Sequence, residues 1–260
     1  MKKAVDGLIL RELEIGESDK LLTVLTAEEG RITLLAKGAR SRRSSLLAVC
    51  HPFQYVNFEY YEKKERRWVS GASVNESFFG VSYELENAAL ASYLCEIAEE
   101  ITGEGVAADD VLRMTLNCLY LLREGKKPRD QIKAVYEWFA AAVSGFAPDL
   151  SACGSCGKGE GDLWLDVMNG RLLCSSCLGA KGGRTVEEID EYSARNILLP
   201  MDASSLSALR YILSAPPSRI FAFEMRSEES FGRFCRGAET YLLNHLERGF
   251  ETLTFYKTVK

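Results

Sequence analysis

Four cysteines constrain this chain more than any other feature. Cys153, Cys156, Cys174 and Cys177 form two C-x2-C pairs separated by 17 residues. In a secreted chain such a set can be a disulfide framework; in a cytosolic chain it reads as a four-thiolate zinc site. Two redox-active C-x2-C pairs, or plain thiols, are the other readings. One C-x2-C turn places two thiolates on one side of a metal, and a second closes the tetrahedron. Leu163, Leu165 and Val167 alternate between the pairs, as in the hairpin of a zinc ribbon. Because all four positions are cysteine, no position is left for a catalytic water, and the expected Zn2+ is structural. Residues 151–180 are rich in Gly and Ser, so the metal has to hold a segment that lacks the apolar content to fold alone. Cys50, Cys95, Cys118 and Cys235 are scattered.

The cysteine segment interrupts a chain whose period changes along its length. Up to about residue 80 the pattern is β: short runs of β-branched, aromatic and Leu residues separated by turn residues. The runs are Gly7–Ile15, Leu21–Thr26, Arg31–Leu35, Pro52–Tyr61 and Trp68–Glu76. Five short antiparallel strands in 80 residues predict a small closed barrel such as the OB-fold, with an open sandwich as the alternative.

From about Tyr83 the period becomes helical. Leu90, Tyr93, Leu94, Ile97 and Ile101 share one face. Val111–Leu122 is apolar almost all round and predicts a buried helix. Pro128 sits where a first-turn proline belongs, and Ile132, Val135, Tyr136, Phe139 and Val143 continue the stripe to Gly145 and Pro148. Beyond the cysteines, Thr185-x-x-Glu188 predicts a capping box for a helix through Leu198. Leu206–Leu213 is a short helix, and Phe231, Phe234, Cys235, Ala238, Tyr241, Leu242 and Leu246 line the last. The expected organisation is therefore an α+β multidomain chain: a barrel over 1–80, helices over 81–150, a zinc ribbon over 151–180 and further helices over 181–260.

With 260 residues and 47% apolar content, the chain can bury a sizeable core. Its net charge of −5 argues, as an average, against a polyanionic partner. The average hides a division. Residues 1–80 carry 13 Lys and Arg against 11 Asp and Glu, whereas the remainder carries 19 against 26. Within 31–67 the balance is 9 basic to 3 acidic. Lys37, Arg40, Arg42 and Arg43 lie in a Gly/Ser-rich loop, and Lys63, Lys64, Arg66 and Arg67 between two strand-like runs. Such loops offer cations and backbone N–H groups to phosphates in a salt-dependent, sequence-blind way. A solvated turn is the plainer reading. Phe53, Tyr55, Phe58, Tyr60, Tyr61 and Trp68 lie nearby, and single-stranded bases stack on such rings. The competing expectation is that Phe53, Tyr55 and Tyr61 simply alternate into the barrel core.

Enzyme readings find little support. There is no G-x-x-x-x-G-K-[ST], because Ala152 occupies the first-Gly position ahead of Lys158. His51 and His245 are the only histidines; His245-Leu246-Glu247 has the H-x-E spacing, but no P-C-x-x-C accompanies it and no C-x-E is present, so the deaminase signature is missing. No acidic cluster marks a metal-dependent nuclease. No apolar run approaches the length of a membrane span, and the N-terminal apolar stretch at Leu8–Leu10 is too short for a signal peptide, so cytoplasmic residence is expected.

Several stretches resemble the RecO family of bacterial recombination mediators. They are Gly16-Glu17-Ser18-Asp19-Lys20-Leu21-Leu22-Thr23, the run from Gly30 to Arg40, Pro52-Phe53, Phe58-Glu59-Tyr60-Tyr61, and Tyr241 to Phe250. The four cysteines match the zinc-bearing members. The resemblance implies an N-terminal OB-fold and a helical domain carrying the ribbon. It also implies a non-catalytic activity: binding single- and double-stranded DNA, annealing complementary strands, and acting with RecR to help RecA load onto DNA coated by single-stranded DNA-binding protein. A cytoplasmic, nucleoid-associated protein without membrane contact is implied as well. Lys37 and Arg40 match family positions implicated in DNA contact; Arg42 and Arg43 are added on charge alone. The alternative is a zinc-ribbon scaffold that bridges repair proteins with little DNA affinity of its own.

Overall fold

The computed structural model describes residues 2–64, 66–179 and 197–260. It divides into two compact units, Met1–Ile132 with Phe250–Lys260, and Lys133–Gly249.

In the first unit five strands form a closed barrel: β1 (Lys2–Ile15), β2 (Asp19–Thr26), β3 (Arg31–Ala36), β4 (Gln54–Lys63) and β5 (Arg66–Ser77). Their order is β1-β2-β3-β5-β4, with β1 also pairing β4. Alternation puts Val5, Ile9, Leu22, Val24, Ile32, Leu34, Val56, Phe58 and Tyr60 inside, and Ala39 and Cys50 join them from the β3–β4 loop. Closure needs bends, and β1 supplies one as a bulge between Ile9 and Arg11. Gly30 closes the β2–β3 turn at φ +63°, and a Cβ there would lie 2.3 Å from the carbonyl oxygens of Gly103 and Val106. Only glycine meets both demands. The expected core role of Tyr61 does not hold. Tyr60 and Phe58 take the inward register, which turns Tyr61 out to 43% exposure.

A 3-10 turn at Phe79–Tyr83 leads into α1 (Leu85–Ile101) and α2 (Asp109–Arg123). The α1 stripe is buried as expected at Leu90, Tyr93, Leu94 and Ile97. Arg11 binds the Glu99 carboxylate at 2.8 Å, and Arg31 donates to the Glu99 carbonyl at 2.8 Å, tying α1 to the barrel. Contrary to expectation α2 is amphipathic: Val111, Leu112, Cys118 and Leu119 are buried, while Arg113 and Tyr120 face outward. The C-terminal helix of this unit (Glu251–Val259) was not expected; Leu253 and Tyr256 bury it, and Glu96 accepts a hydrogen bond from the Thr252 N–H at 3.3 Å.

In the second unit the body of α3 (Arg129–Ala141) faces a long helix over Glu228–Leu246. Trp138 lies 5.0 Å from the ring of Tyr241, and its indole also packs by Gly237. Lys133, buried, binds Glu137 at 2.7 Å and Glu239 at 2.8 Å. Val143 leaves the expected stripe. The chain there forms a one-turn π-helix broken at Gly145 (φ +88°), and Val143 points outward. A four-stranded sheet of order β6-β8-β7-β9 uses β6 (Asp149–Cys153), β7 (Leu163–Asp166), β8 (Arg171–Cys174) and β9 (Leu198–Met201). The helix expected through Leu198 is corrected at its end: Leu198 opens β9. Pro200, lacking an N–H, sits there on an edge strand, where its missing donor is tolerated. Thr185 and Glu188 lie outside the described residues. The expected Leu206–Leu213 helix runs over Ala203–Ser214, capped by Asp202, whose carboxylate accepts from the Ser205 N–H.

Candidate metal centre and nucleic-acid interface

The cysteine segment folds as its spacing predicts. Leu163 and Leu165 of β7 stand opposite Cys174 and Leu172 of β8 in an antiparallel hairpin, and with Val167 they are buried. Cys153 ends β6 and Cys174 ends β8. After Cys153 the chain turns back, with Gly157 at φ +73° and its N–H donating to the Cys153 carbonyl at 2.8 Å. That turn brings Cys156 under Cys153. After Cys174 a short helix (Ser175–Gly179) returns Cys177 to the same point.

All four Sγ atoms lie within 4.8 Å of one another. Cys156 and Cys174 are 3.7 Å apart, close to the edge of about 3.8 Å that four ligands at 2.3 Å from a tetrahedral Zn2+ define. The backbone prepares the charge. Burial alone pushes the Cys153 thiol up, but N–H groups of Cys174, Ser155 and Cys156, with the Cys156 thiol, bring it down to about 6. Cys177 is pushed up to about 12, chiefly because it shares hydrogen bonds with Cys156 and Cys174. Four thiols crowded this closely resist ionising together unless a cation sits among them. The cluster can hold a metal ion.

The two basic stretches occupy the barrel. The loop after β3 is not a free turn. Asp19 accepts from the Gly38 N–H at 2.8 Å. Arg40 pairs with Glu14 at 3.0 Å and donates to the carbonyl of Glu17 at 3.2 Å, so it fastens the loop to the β1–β2 turn. The far end of the loop is held by Lys20, which is 3% exposed. Its ammonium binds Glu12 at 2.6 Å and the Cys50 carbonyl at 2.8 Å, beside His51. Arg42 and Arg43 between these anchors, and Lys37 just before the first, are exposed and form no ion pair with a described residue.

Lys63 and Arg66 face each other across the tight β4–β5 turn, and with Lys64 they are exposed. Arg67 differs. It is largely covered and bridges Glu104 at 2.6 Å and Glu29 at 3.5 Å. Glu29 also accepts from the Tyr60 hydroxyl at 3.1 Å. Its geometry is that of a strut between β5 and the connection from α1 to α2. Phe53, Phe58 and Tyr60 are buried and Tyr55 is half-buried; Tyr61 and Trp68 lie on the outer face.

Sequence reasoning missed Lys20 and Glu12, because a lysine between polar turn residues reads as solvent-facing. It also missed that β2 and β3 carry leucine on both faces. The doublets Leu21-Leu22 and Leu34-Leu35 were the available signal: strict alternation would have placed a polar residue at one position of each.

Comparison with known proteins covers almost the whole chain. Residues 1–78 match the family described as Recombination protein O N terminal, and residues 82–254 match Recombination protein O C terminal. A protein of Acetivibrio thermocellus named DNA repair protein RecO is 29% identical over 255 residues, covering 97% of this chain and 95% of its own length. A protein of the same name from Caldicellulosiruptor saccharolyticus is 32% identical over 172 residues, 66% of this chain and 70% of its own. Another from Symbiobacterium thermophilum is 24% identical over 260 residues, 98% of this chain and 97% of its own.

Proposed function

Because the chain belongs to the RecO family of DNA repair proteins, which act without catalysis, we propose that it is a recombination mediator whose barrel binds single- and double-stranded DNA. Bound strands are annealed, and together with RecR the protein helps RecA load onto DNA coated by single-stranded DNA-binding protein. The observation that carries this reading is the set of exposed cations at Lys37, Arg42, Arg43, Lys63, Lys64 and Arg66, on two turns of one barrel. The first turn is anchored at both ends, so its charges are presented at little ordering cost. Among the described residues no helix is long and apolar enough to cross a membrane, in keeping with work on the nucleoid in the cytoplasm. In the cysteine cluster we infer one Zn2+, because four thiolates with no open position suit a structural zinc.

The test is binding of a labelled single strand across a salt series. Replacing Lys37, Arg40, Arg42 and Arg43 by Ala is expected to weaken binding at least ten-fold. It should also flatten the dependence on log salt by roughly 0.7 for each phosphate no longer neutralised. Unchanged affinity at low salt removes the basic loop from the interface. A protein that binds RecR but neither form of DNA is instead a scaffold between repair proteins. Metal analysis is expected to return about one zinc per chain.

A further inference from the structure

The barrel register assembles a feature that neither basic turn explains. Leu13 stands opposite Leu21, Leu21 opposite Leu35, Leu35 opposite Trp68, and Trp68 opposite Tyr61. Each pair is in direct cross-strand register, so the five side chains form one row around the outside, crossing all five strands. By contrast, Leu8 and Leu25 are fully buried where α1 packs against β1 and β2. This row is not covered. Leu13 is 54% exposed and Tyr61 43%, and Leu21, Leu35 and Trp68 are half-buried.

Its aromatic end is flat and charged. The Tyr61 and Trp68 rings are parallel to within 9°, with centroids 6.5 Å apart, so they lie offset rather than face to face. The Lys37 ammonium sits 4.4 Å from the Trp68 ring centre. Lys63 and Arg66 continue the same two strands into the basic turn just beyond. Among the described residues of β4, the carboxylates Glu59 and Glu62 are occupied, by Lys2 at 2.7 Å and by Lys3 at 2.9 Å. Lys37, Lys63 and Arg66 thus lie by the rings in no ion pair with a described residue, while Glu59 and Glu62 are neutralised. The row crosses β2 and β3, the face on which OB-type barrels hold oligonucleotides between the β1–β2 and β4–β5 turns.

We propose that Tyr61 and Trp68 are a stacking platform for unpaired bases, with Lys37 taking the adjoining phosphate. This rests on the DNA-binding reading above and adds what that reading lacks, a reason to prefer single strands. Cations alone bind any phosphate chain. A π-face rewards only a base that has left its duplex stack. In the free protein Lys37 covers Trp68 by a cation–π contact; a phosphate competes for that ammonium and clears the ring. A partner protein laid on the leucine end is the competing occupant, but the cations at the aromatic end favour a polyanion.

The experiment compares, on the full chain, a labelled oligo-dT with an abasic strand of equal length. The two carry the same phosphates and differ only in bases. The wild type is expected to bind oligo-dT at least about ten-fold more tightly. The double variant Tyr61→Ala/Trp68→Ala is expected to bind both strands equally, at the wild-type affinity for the abasic strand. Trp68→Phe, which keeps a ring, restores most of the preference and controls for folding. If the wild type binds both strands alike, or the double variant keeps its preference, the platform is overturned while the basic-loop reading stands. If the wild type binds neither strand at low salt, both fall.

Discussion

The barrel and the cysteine sheet reach stability by opposite routes. The barrel closes on itself, leaves no free edge, and fills its inside with twelve buried residues, Phe58 and Tyr60 the largest. The cysteine sheet is open, with strands of four or five residues, and among the described residues its buried apolar side chains are aliphatic, with no buried aromatic: Leu150, Leu163, Leu165, Val167, Leu172, Leu173 and Met201. Closed strands with a filled interior stand on hydrophobic burial. Short open strands with little to bury need a cross-link, and four thiolates around a metal are one. The comparison also separates tasks, since the barrel carries the exposed cations and the cysteines shape a segment remote from them in sequence.

The largest effect is expected from removing the zinc inferred for the four cysteines. Binding of structural zinc to small domains is of order 10–16 kcal/mol, so its loss should unfold the segment from Asp149 to Gly179 outright. Chelation, or Cys174→Ser, is expected to remove amide-exchange protection from β7 and β8 and leave β1–β5 protected. Loss of protection in both places would mean that the barrel does not stand on its own core. Retained protection in the ribbon would mean that Leu163, Leu165 and Leu172 suffice without metal.

A second, smaller effect tests whether the barrel depends on anything besides apolar burial. Lys20 is its buried cation, and Lys20→Met leaves Glu12 without its closest partner. Breaking a buried pair in this way costs about 3–5 kcal/mol; because Glu12 keeps a quarter of its side chain in water, roughly 2–3 kcal/mol is expected. Denaturant unfolding measures it. The β3–β4 loop should also loosen, because the same ammonium holds the Cys50 carbonyl. A cost under about 0.5 kcal/mol would make Lys20 an ordinary surface charge.

What was legible in the sequence follows the same divide. Runs of β-branched, aromatic and Leu residues bounded by turn residues revealed all five barrel strands, because both signals are local in the chain. Cysteine spacing revealed the four-thiol cluster, because a site able to ligate a metal tetrahedrally imposes a fixed pattern. Features held by distant partners were hidden. Nothing local marks Leu198–Met201 as a strand, since its partner β7 lies more than thirty residues earlier. The helix Glu251–Val259 is nine residues long and forms against α1, from which it is far removed in sequence. Arg67 reads like Arg66 beside it; only the fold brings Glu29 and Glu104 to one and leaves the other in solvent.

That last pair gives the smallest and most discriminating prediction. Lys63, Lys64, Arg66 and Arg67 look equivalent in sequence, yet the geometry assigns them different work. Arg67→Ala removes a largely covered guanidinium from two carboxylates, one of which also holds Tyr60. Glu104 is mostly exposed, so solvent screening reduces the pair's worth, and a loss of about 1 kcal/mol in unfolding free energy is expected. Its effect on the salt slope of DNA binding should be close to none. Arg66→Ala is expected to do the reverse, leaving stability within about 0.5 kcal/mol and lowering the slope by roughly 0.7. Unfolding and a salt titration on the two variants decide it. If both variants weaken DNA binding and neither loses stability, Arg67 must leave its carboxylates for phosphate, and the strut is part of the interface.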